Sequence, residues 1–368
     1  MVYYISYMRI TGYLKRFQDS FIKTPTNIAD ALIVSWMAYF DFATVKDQLP
    51  LKVHDFKYIY EFHTLEPYYY AFVPRFSRRF MRKMCNSNRF KNAVLLDYEY
   101  ILDNAKGVQF GVIALKCYED IIIAVRGTDP SYAGWKEDFT MSYKDTINSY
   151  EHAHAFVRKI MRKHKGNIVL CGHSKGGNIC TYLLSQLSQS SMKRIKHVYS
   201  FDGPGFRNTG LFADKEDRLE KFTKIVPKSS VVGVLFSNET EVKIVKSYSF
   251  LLLQHNPFEW KIKNNDFIYV KKRSLSSRYL ERSLNSWIEG LNPEDRERFT
   301  EILFGELSKF EAGDFVVFFR RLFLQVGPVW KAYRKLEKED KEIVDRVIKK
   351  LIRNLIKPEK HTAPKVIA

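Results

Sequence analysis

The stretch "NIVLCGHSKGGNICTYLLSQL" (167–187) constrains the fold more than any other. An apolar run from Ile168 to Leu170 enters Gly172-His173-Ser174-Lys175-Gly176-Gly177, and Ile179, Tyr182, Leu183 and Leu187 follow at helical spacing. That is a strand, a tight turn and a helix. The turn fits G-x-S-x-G, the sharp strand-to-helix elbow that holds a nucleophilic serine in strained backbone at a strand's end. Glycines on both sides let neighbouring backbones approach closely enough for the turn. The motif is weak alone, but here a strand signal precedes it and a helix signal follows.

The surrounding chain repeats the alternation. "AVLLDYEYIL" (93–102) and "VQFGVIAL" (108–115) flank an Asp103-to-Gly107 turn and read as a hairpin. "DIIIAVRG" (120–127) has the continuous branched-apolar character of a strand buried on both faces. Then come a helix (146–164), a strand (167–171), a helix (177–190) and strands at 196–201 and 222–227, which predicts an α/β fold with a mostly parallel sheet covered by helices. Upstream, "TNIADALIVSWMAYF" (26–40) reads as a helix begun by Thr26 or Asn27, and the basic, aromatic stretch 66–92 as helix mixed with loops. From about residue 277 the pattern is wholly helical. Its best-formed piece, 341–357, carries Ile343, Val344, Val347, Ile348, Leu351, Ile352, Leu355 and Ile356 in one stripe. The expected organisation is an N-terminal helical and loop segment (1–92), an α/β core (93–276) and a helical C-terminal region (277–368).

Composition bounds the functional classes. Sixty Lys and Arg against 41 Asp and Glu give a formal charge of +19, which favours anionic partners such as lipid headgroups or nucleic acid. No RNA- or DNA-binding motif is present, so specific nucleic-acid binding is not expected. Cys85, Cys117, Cys171 and Cys180 lack metal-ligand spacing and suit a reducing compartment. Arg9 and Lys15 interrupt the N-terminus, which does not read as a secretory signal. The most apolar window, "FVVFFRRLFLQV" (315–326), is broken by Arg320 and Arg321. A cytoplasmic location is expected.

If Ser174 is a nucleophile, it needs oxyanion donors and a base. The backbone N–H of Lys175, the residue after the nucleophile, is one expected donor. Arg126-Gly127-Thr128, after the 120–125 strand, offers a loop for the other, and Thr128 could supply both N–H and hydroxyl. His173 reads as a packing neighbour, because adjacent residues at an elbow point apart. Of nine histidines three lie downstream: His197 opens a strand at the end away from the elbow, and His361 sits in the tail. His255, in a polar turn after an apolar run, is the base by elimination. The acid stays open among Asp202, Asp214, Glu216, Asp217, Glu220, Glu239 and Glu241. The run 214–220 reads as a solvated face, and Asp202, at the end of a strand that should neighbour the elbow, is preferred.

"IAVRGTD" with "GWKEDF", "GHSKGGN", "VYSFDGPGF" and "QHNPFEW" together resemble the bacterial lipase-like domain family related to the class 3 lipases. "ADALIVSWMAYFDF" and "NSNRF" (86–90) share the likeness, which spans roughly residues 26–310. The resemblance implies an α/β-hydrolase fold, Ser174 as nucleophile, His255 as base and Thr128 with Lys175 at the oxyanion hole. It puts Trp135 and Asp138 in the lid-side segment. One departure stands out. In "KIVPKSSVVG" (224–233) Ser230 falls where class 3 lipases carry their acid, so either Asp202 has taken that role or the third member is absent.

The sequence therefore leads to a serine hydrolase cleaving a carboxylic, acyl-lipid ester through a Ser-His-(Asp) acyl-enzyme, with no metal or organic cofactor. Thioester or peptide cleavage by the same machinery stays open. The rival is a catalytically degenerate hydrolase fold that binds an anionic surface. Peripheral contact with anionic membrane is compatible with either.

Overall fold

In the computed structural model, which describes residues 7–62, 74–207, 210–236, 240–307 and 326–358, the strands of the main sheet lie side by side in chain order. They are β1 (Leu51–Lys52), β2 (Val94–Asp103), β3 (Val108–Cys117), β4 (Asp120–Val125), β5 (Asn167–His173), β6 (Ile195–Phe201), β7 (Phe222–Pro227) and β8 (Lys243–Val245). From β1 to β4 each neighbour is antiparallel; from β4 to β8 each is parallel. The helices are α1 (Ile10–Arg16), α2 (Ile28–Met37), α3 (Phe56–Phe62), α4 (Pro74–Asn86), α5 (Tyr132–Thr140) and α6 (Ser149–Lys163). After them come α7 (Lys175–Gln186), α8 (Gln189–Met192), α9 (Leu275–Glu289), α10 (Pro293–Leu307), α11 (Val326–Lys335) and α12 (Lys338–Ile356). This mostly parallel sheet, helix-covered, with its strand–serine–helix elbow and helical C-terminal region, is an α/β-hydrolase fold.

Every residue of β4 is buried. Its alternate side chains feed two apolar clusters: Ile122 and Ala124 pack with α1 and α2 on one face, while Ile121, Ile123 and Val125 pack with α6 and α7 on the other. Cys117 and Cys171 are buried small residues of the first cluster. Strands β2 to β7 fall where the patterning puts them, whereas the short edge strands β1 and β8 carry no such pattern; α2 begins at Asn27, whose side chain forms a capping box with Asp30.

Arg89, from the "NSNRF" segment, ties that segment to α2 and to the loop before it. Its guanidinium is buried and donates to both carboxylate oxygens of Asp30 and to the carbonyls of Asp19, Thr24 and Pro25. Tyr13 donates to the same carboxylate over 2.9 Å. Every polar atom that water would have served thus has a protein partner.

Two expectations need adjustment. The 214–220 run is not wholly solvated: Arg218 is buried and donates to the carbonyls of Leu184 and Ser185, which end α7. The α12 stripe is only partly covered, with Val347 buried and Ile348, Ile352, Leu355 and Ile356 exposed. That helix is held by ion pairs instead, Arg346 to Asp295 at 2.7 Å and Arg298 to Asp340 at 2.8 Å. The segments around His361 and most of 315–326, and Glu239, lie outside the described residues. Among the described residues no helix is long and apolar enough to cross a membrane.

Because Asp30 would be left as a buried, uncompensated charge, Arg89→Met is expected to cost about 3–5 kcal/mol. Urea unfolding checks this, and a loss below about 1 kcal/mol would contradict it.

Candidate active site

Ser174 stands between β5 and α7 at φ 57 and ψ −130, a backbone strain of about 1–3 kcal/mol that the packing around it must offset. Its N–H is anchored to the Phe201 carbonyl at 2.9 Å. The glycines explain how the turn fits: a Cβ on Gly172 would collide with the Gly176 backbone, and one on Gly176 with the Val125 carbonyl. Gly177, in the first turn of α7, packs on Ser200 and Gly203 of the neighbouring strand end.

His255 closes a short 3-10 turn, Leu251–His255. Gln254 fixes that turn, accepting from the Ser229 N–H and donating to the Ser249 carbonyl. His255 Nδ1 lies 2.7 Å from Asp202 Oδ2. A carboxylate partner makes Nδ1 the donor and leaves the lone pair on Nε2, the form a general base requires. Asp202 is fully buried just past β6, at φ 50. Its other oxygen accepts from Ser230 Oγ at 2.5 Å and from the Gly233 N–H at 3.1 Å. Ser230, which the resemblance allowed as a sign of a missing acid, is thus a donor to Asp202 at the end of the preceding strand.

His173 is buried and serves the same architecture. Its Nε2 meets the His255 carbonyl at 2.8 Å and its Nδ1 the Tyr39 hydroxyl at 2.9 Å, so Nε2 carries the proton and Nδ1 accepts. Burial, with the nearby His255, pushes its pKa well below 6.5, and it stays neutral. Tyr39, just past α2, was not legible as part of the site; only its long-range packing brings it there.

Lys175 presents two faces. Its side chain is buried, with Nζ 2.6 Å from Glu137 Oε2 and bonded to both Gln109 O and Oε1, which fixes the residue that follows Ser174. On the opposite loop, Thr128 Oγ1 sits 2.8 and 2.7 Å from the two oxygens of Asp138. Thr128's hydroxyl is therefore engaged, a point the sequence left open. Desolvation lifts Asp138 to about 6 against the pull of Lys175 and of that hydroxyl, so above that pH the ionised carboxylate accepts the hydrogen bond that Thr128 donates. Among the described residues nothing accepts the backbone N–H of Thr128 or Lys175, and neither Ser174 Oγ nor His255 Nε2 has a hydrogen-bond partner. Arg126 stacks over Tyr100 at 4.2 Å and reaches Asp129, bracing the loop from below.

Ser174, His255, Thr128 and Lys175 line one cavity of about 330 Å³. Its other walls are mainly apolar: Trp135 and Phe139 from α5, Leu235 and Phe236 from the loop after β7, and Leu284, Trp287, Phe299 and Val347 from α9, α10 and α12. The C-terminal helices thus form part of the cavity wall. Among the described residues no group of His, Cys, Asp and Glu is arranged to hold a metal ion.

The sequence model of the Mbeg1-like family matches residues 84–305, more than half of the chain. Comparison with curated proteins returns no match. Among solved structures, the chain is similar to the Rhizomucor miehei lipase in its propeptide complex (12% identity, TM-score 0.33, 50% of this chain and 63% of that one). It is also similar to the Lip2 lipase from Yarrowia lipolytica (14%, 0.32, 51% and 77%) and to lipase II from Rhizopus niveus (13%, 0.33, 65% and 87%). The chain spans less than two thirds of the Rhizomucor chain it matches.

Burial of neutral imidazoles has a pH consequence. His173 is held well below its ordinary pKa and His197 is lowered to about 4, in both cases first by burial. Below pH 6.5 the unfolded chain binds more protons than the folded one, so stability is full above that pH and falls as pH drops below it. Unfolding midpoints in urea at pH 7.5 and 5.5 should show this loss. In His173→Asn the acid loss should be smaller; an unchanged slope would count against a neutral buried His173.

Proposed function

The chain belongs to the Mbeg1-like family, and on that premise we propose that it is a serine hydrolase cleaving the carboxylic ester of an acyl lipid. The observation that carries this reading is the His255–Asp202 hydrogen bond opening into the same apolar cavity as the strained Ser174. Ser174 Oγ attacks the ester carbonyl while His255 Nε2 takes its proton. Asp202 orients the imidazole and stabilises the imidazolium. The N–H groups of Thr128 and Lys175 receive the oxyanion. Collapse expels the alcohol, which takes the proton back from His255, and water repeats the sequence on the acyl-enzyme. The apolar walls suit an acyl chain, and the formal charge of +19 supports peripheral contact with an anionic lipid surface.

The rival reading, a degenerate fold that only binds, drew on Ser230 in place of an acid. With Ser230 donating to Asp202, that observation no longer favours it.

A fluorophosphonate probe should label the folded protein at Ser174. Labelling should vanish in Ser174→Ala and slow by roughly 10²-fold or more in His255→Ala. An unlabelled, fully folded wild type would overturn the proposal.

A further inference from the structure

Five residues beyond Asp202, the same loop carries Arg207. Together with Arg296 of α10 it lines a second cavity of about 210 Å³. Phe236, Ile288 and Arg296 line both cavities, so the second adjoins the apolar one that holds Ser174. The two chambers differ in kind: the first is walled mainly by aromatic and aliphatic side chains, while the second sets Arg207, Arg296, Asn285 and Glu289 beside Phe206, Phe236 and Ile288.

Those guanidiniums are not equally served. Arg296 donates to the carbonyls of Ser142 and Asn292. Arg207 Nη1 is buried from solvent with no hydrogen-bond partner among the described residues. An unserved buried donor on a cation is costly, and a second cation at the same cavity adds repulsion. Arg296 feels that neighbour: burial first, and then Arg207, lower its basicity, against Glu294 and Glu289. Glu289 also lines the chamber but is exposed, where water and salt screen it. Asn285, the remaining polar residue of the chamber, holds the Val234 carbonyl and the Phe236 N–H. An anion between the arginines would serve the free N–H and cancel the repulsion, with the planar fork of donors that phosphate oxygens match.

We propose that the Arg207–Arg296 chamber binds a phosphate group carried by the substrate, so that the lipid cleaved at Ser174 is an acyl ester with a phosphate-bearing headgroup. The acyl chain occupies the apolar cavity while the headgroup reaches the arginines. This rests on the hydrolase reading above and narrows it to a substrate class.

The test separates the two. In Ser174→Ala protein, which cannot turn over, quenching of Trp135 and Trp287 on the wall of the main cavity reports binding of lysophosphatidate and of the monoacylglycerol with the same chain. Lysophosphatidate should bind roughly 10-fold or more tightly than the neutral lipid, as expected for a charge-assisted contact. Adding Arg207→Gln should bring the ratio to within about 2–3-fold, and high salt should narrow it too. Arg296→Gln should act alike, but it also removes the bond to Ser142, so Arg207→Gln is the deciding variant. Equal binding of the two lipids, or a preference unchanged by Arg207→Gln, would overturn the proposal. So would inorganic phosphate binding in an Arg207-dependent way without any preference between the lipids, since the site would then serve free phosphate. A preference seen in Ser174→Ala beside a wild type inert to fluorophosphonate would defeat the hydrolase reading and leave the anion site standing.

Discussion

The buried Asp202 carboxylate organises this structure. A carboxylate removed from water must find donors in the protein or cost several kcal/mol, and Asp202 finds three: Ser230 Oγ, the Gly233 N–H and His255 Nδ1. Those donors come from the loop after β7 and from the 3-10 turn at 251–255. Satisfying one side chain therefore brings three separate stretches of chain to the C-terminal edge of the parallel strands. The same edge receives Ser174, whose N–H is held by Phe201, the residue before Asp202. Ser174, His255 and Asp202 are set by backbone and buried hydrogen bonds, not by surface contacts.

The residues on either side of Ser174 extend this arrangement in opposite directions. His173 reaches toward α2 and the base, bonding Tyr39 and the His255 backbone. Lys175 reaches toward β3 and α5, where Glu137 and Gln109 hold its ammonium group. Each is buried, and each converts a flexible side chain into a fixed strut beneath the elbow. The strain at Ser174 is tolerable because both flanks are pinned. The C-terminal helices then supply the far wall of the cavity through Leu284, Trp287, Phe299 and Val347.

Much of the core was legible because strand and helix impose different periods. β4, β5 and the elbow followed from apolar runs and glycine spacing, and His255 emerged by elimination among three downstream histidines. Asp202 was legible as the end of a strand, but its pairing was not: seven acids competed, and only the path of the loop after β7 decides which one meets an imidazole. Tyr39, Glu137 and Arg207 carried no local signal, since each reaches the site across long separations in the chain. Arg218 misled for a related reason. A charged run predicts a solvated face, yet one guanidinium in it caps the carbonyl end of α7, a role set by tertiary packing alone. In the apolar stripe of α12 only Val347 is buried, while Ile348, Ile352, Leu355 and Ile356 are exposed, because burial depends on which neighbours the fold supplies.

The central claim is that Asp202 makes His255 a base. The most direct measurement is the turnover of a simple acyl ester by Asp202→Asn, with the unfolding midpoint taken on the same sample. The replacement keeps the shape but turns a donor or a neutral oxygen toward Nδ1, so the imidazole is no longer held in the tautomer that leaves Nε2 free. Turnover should fall by about 10⁴-fold while the protein remains folded. A folded Asp202→Asn protein that turns over within about tenfold of the wild type would contradict the assignment.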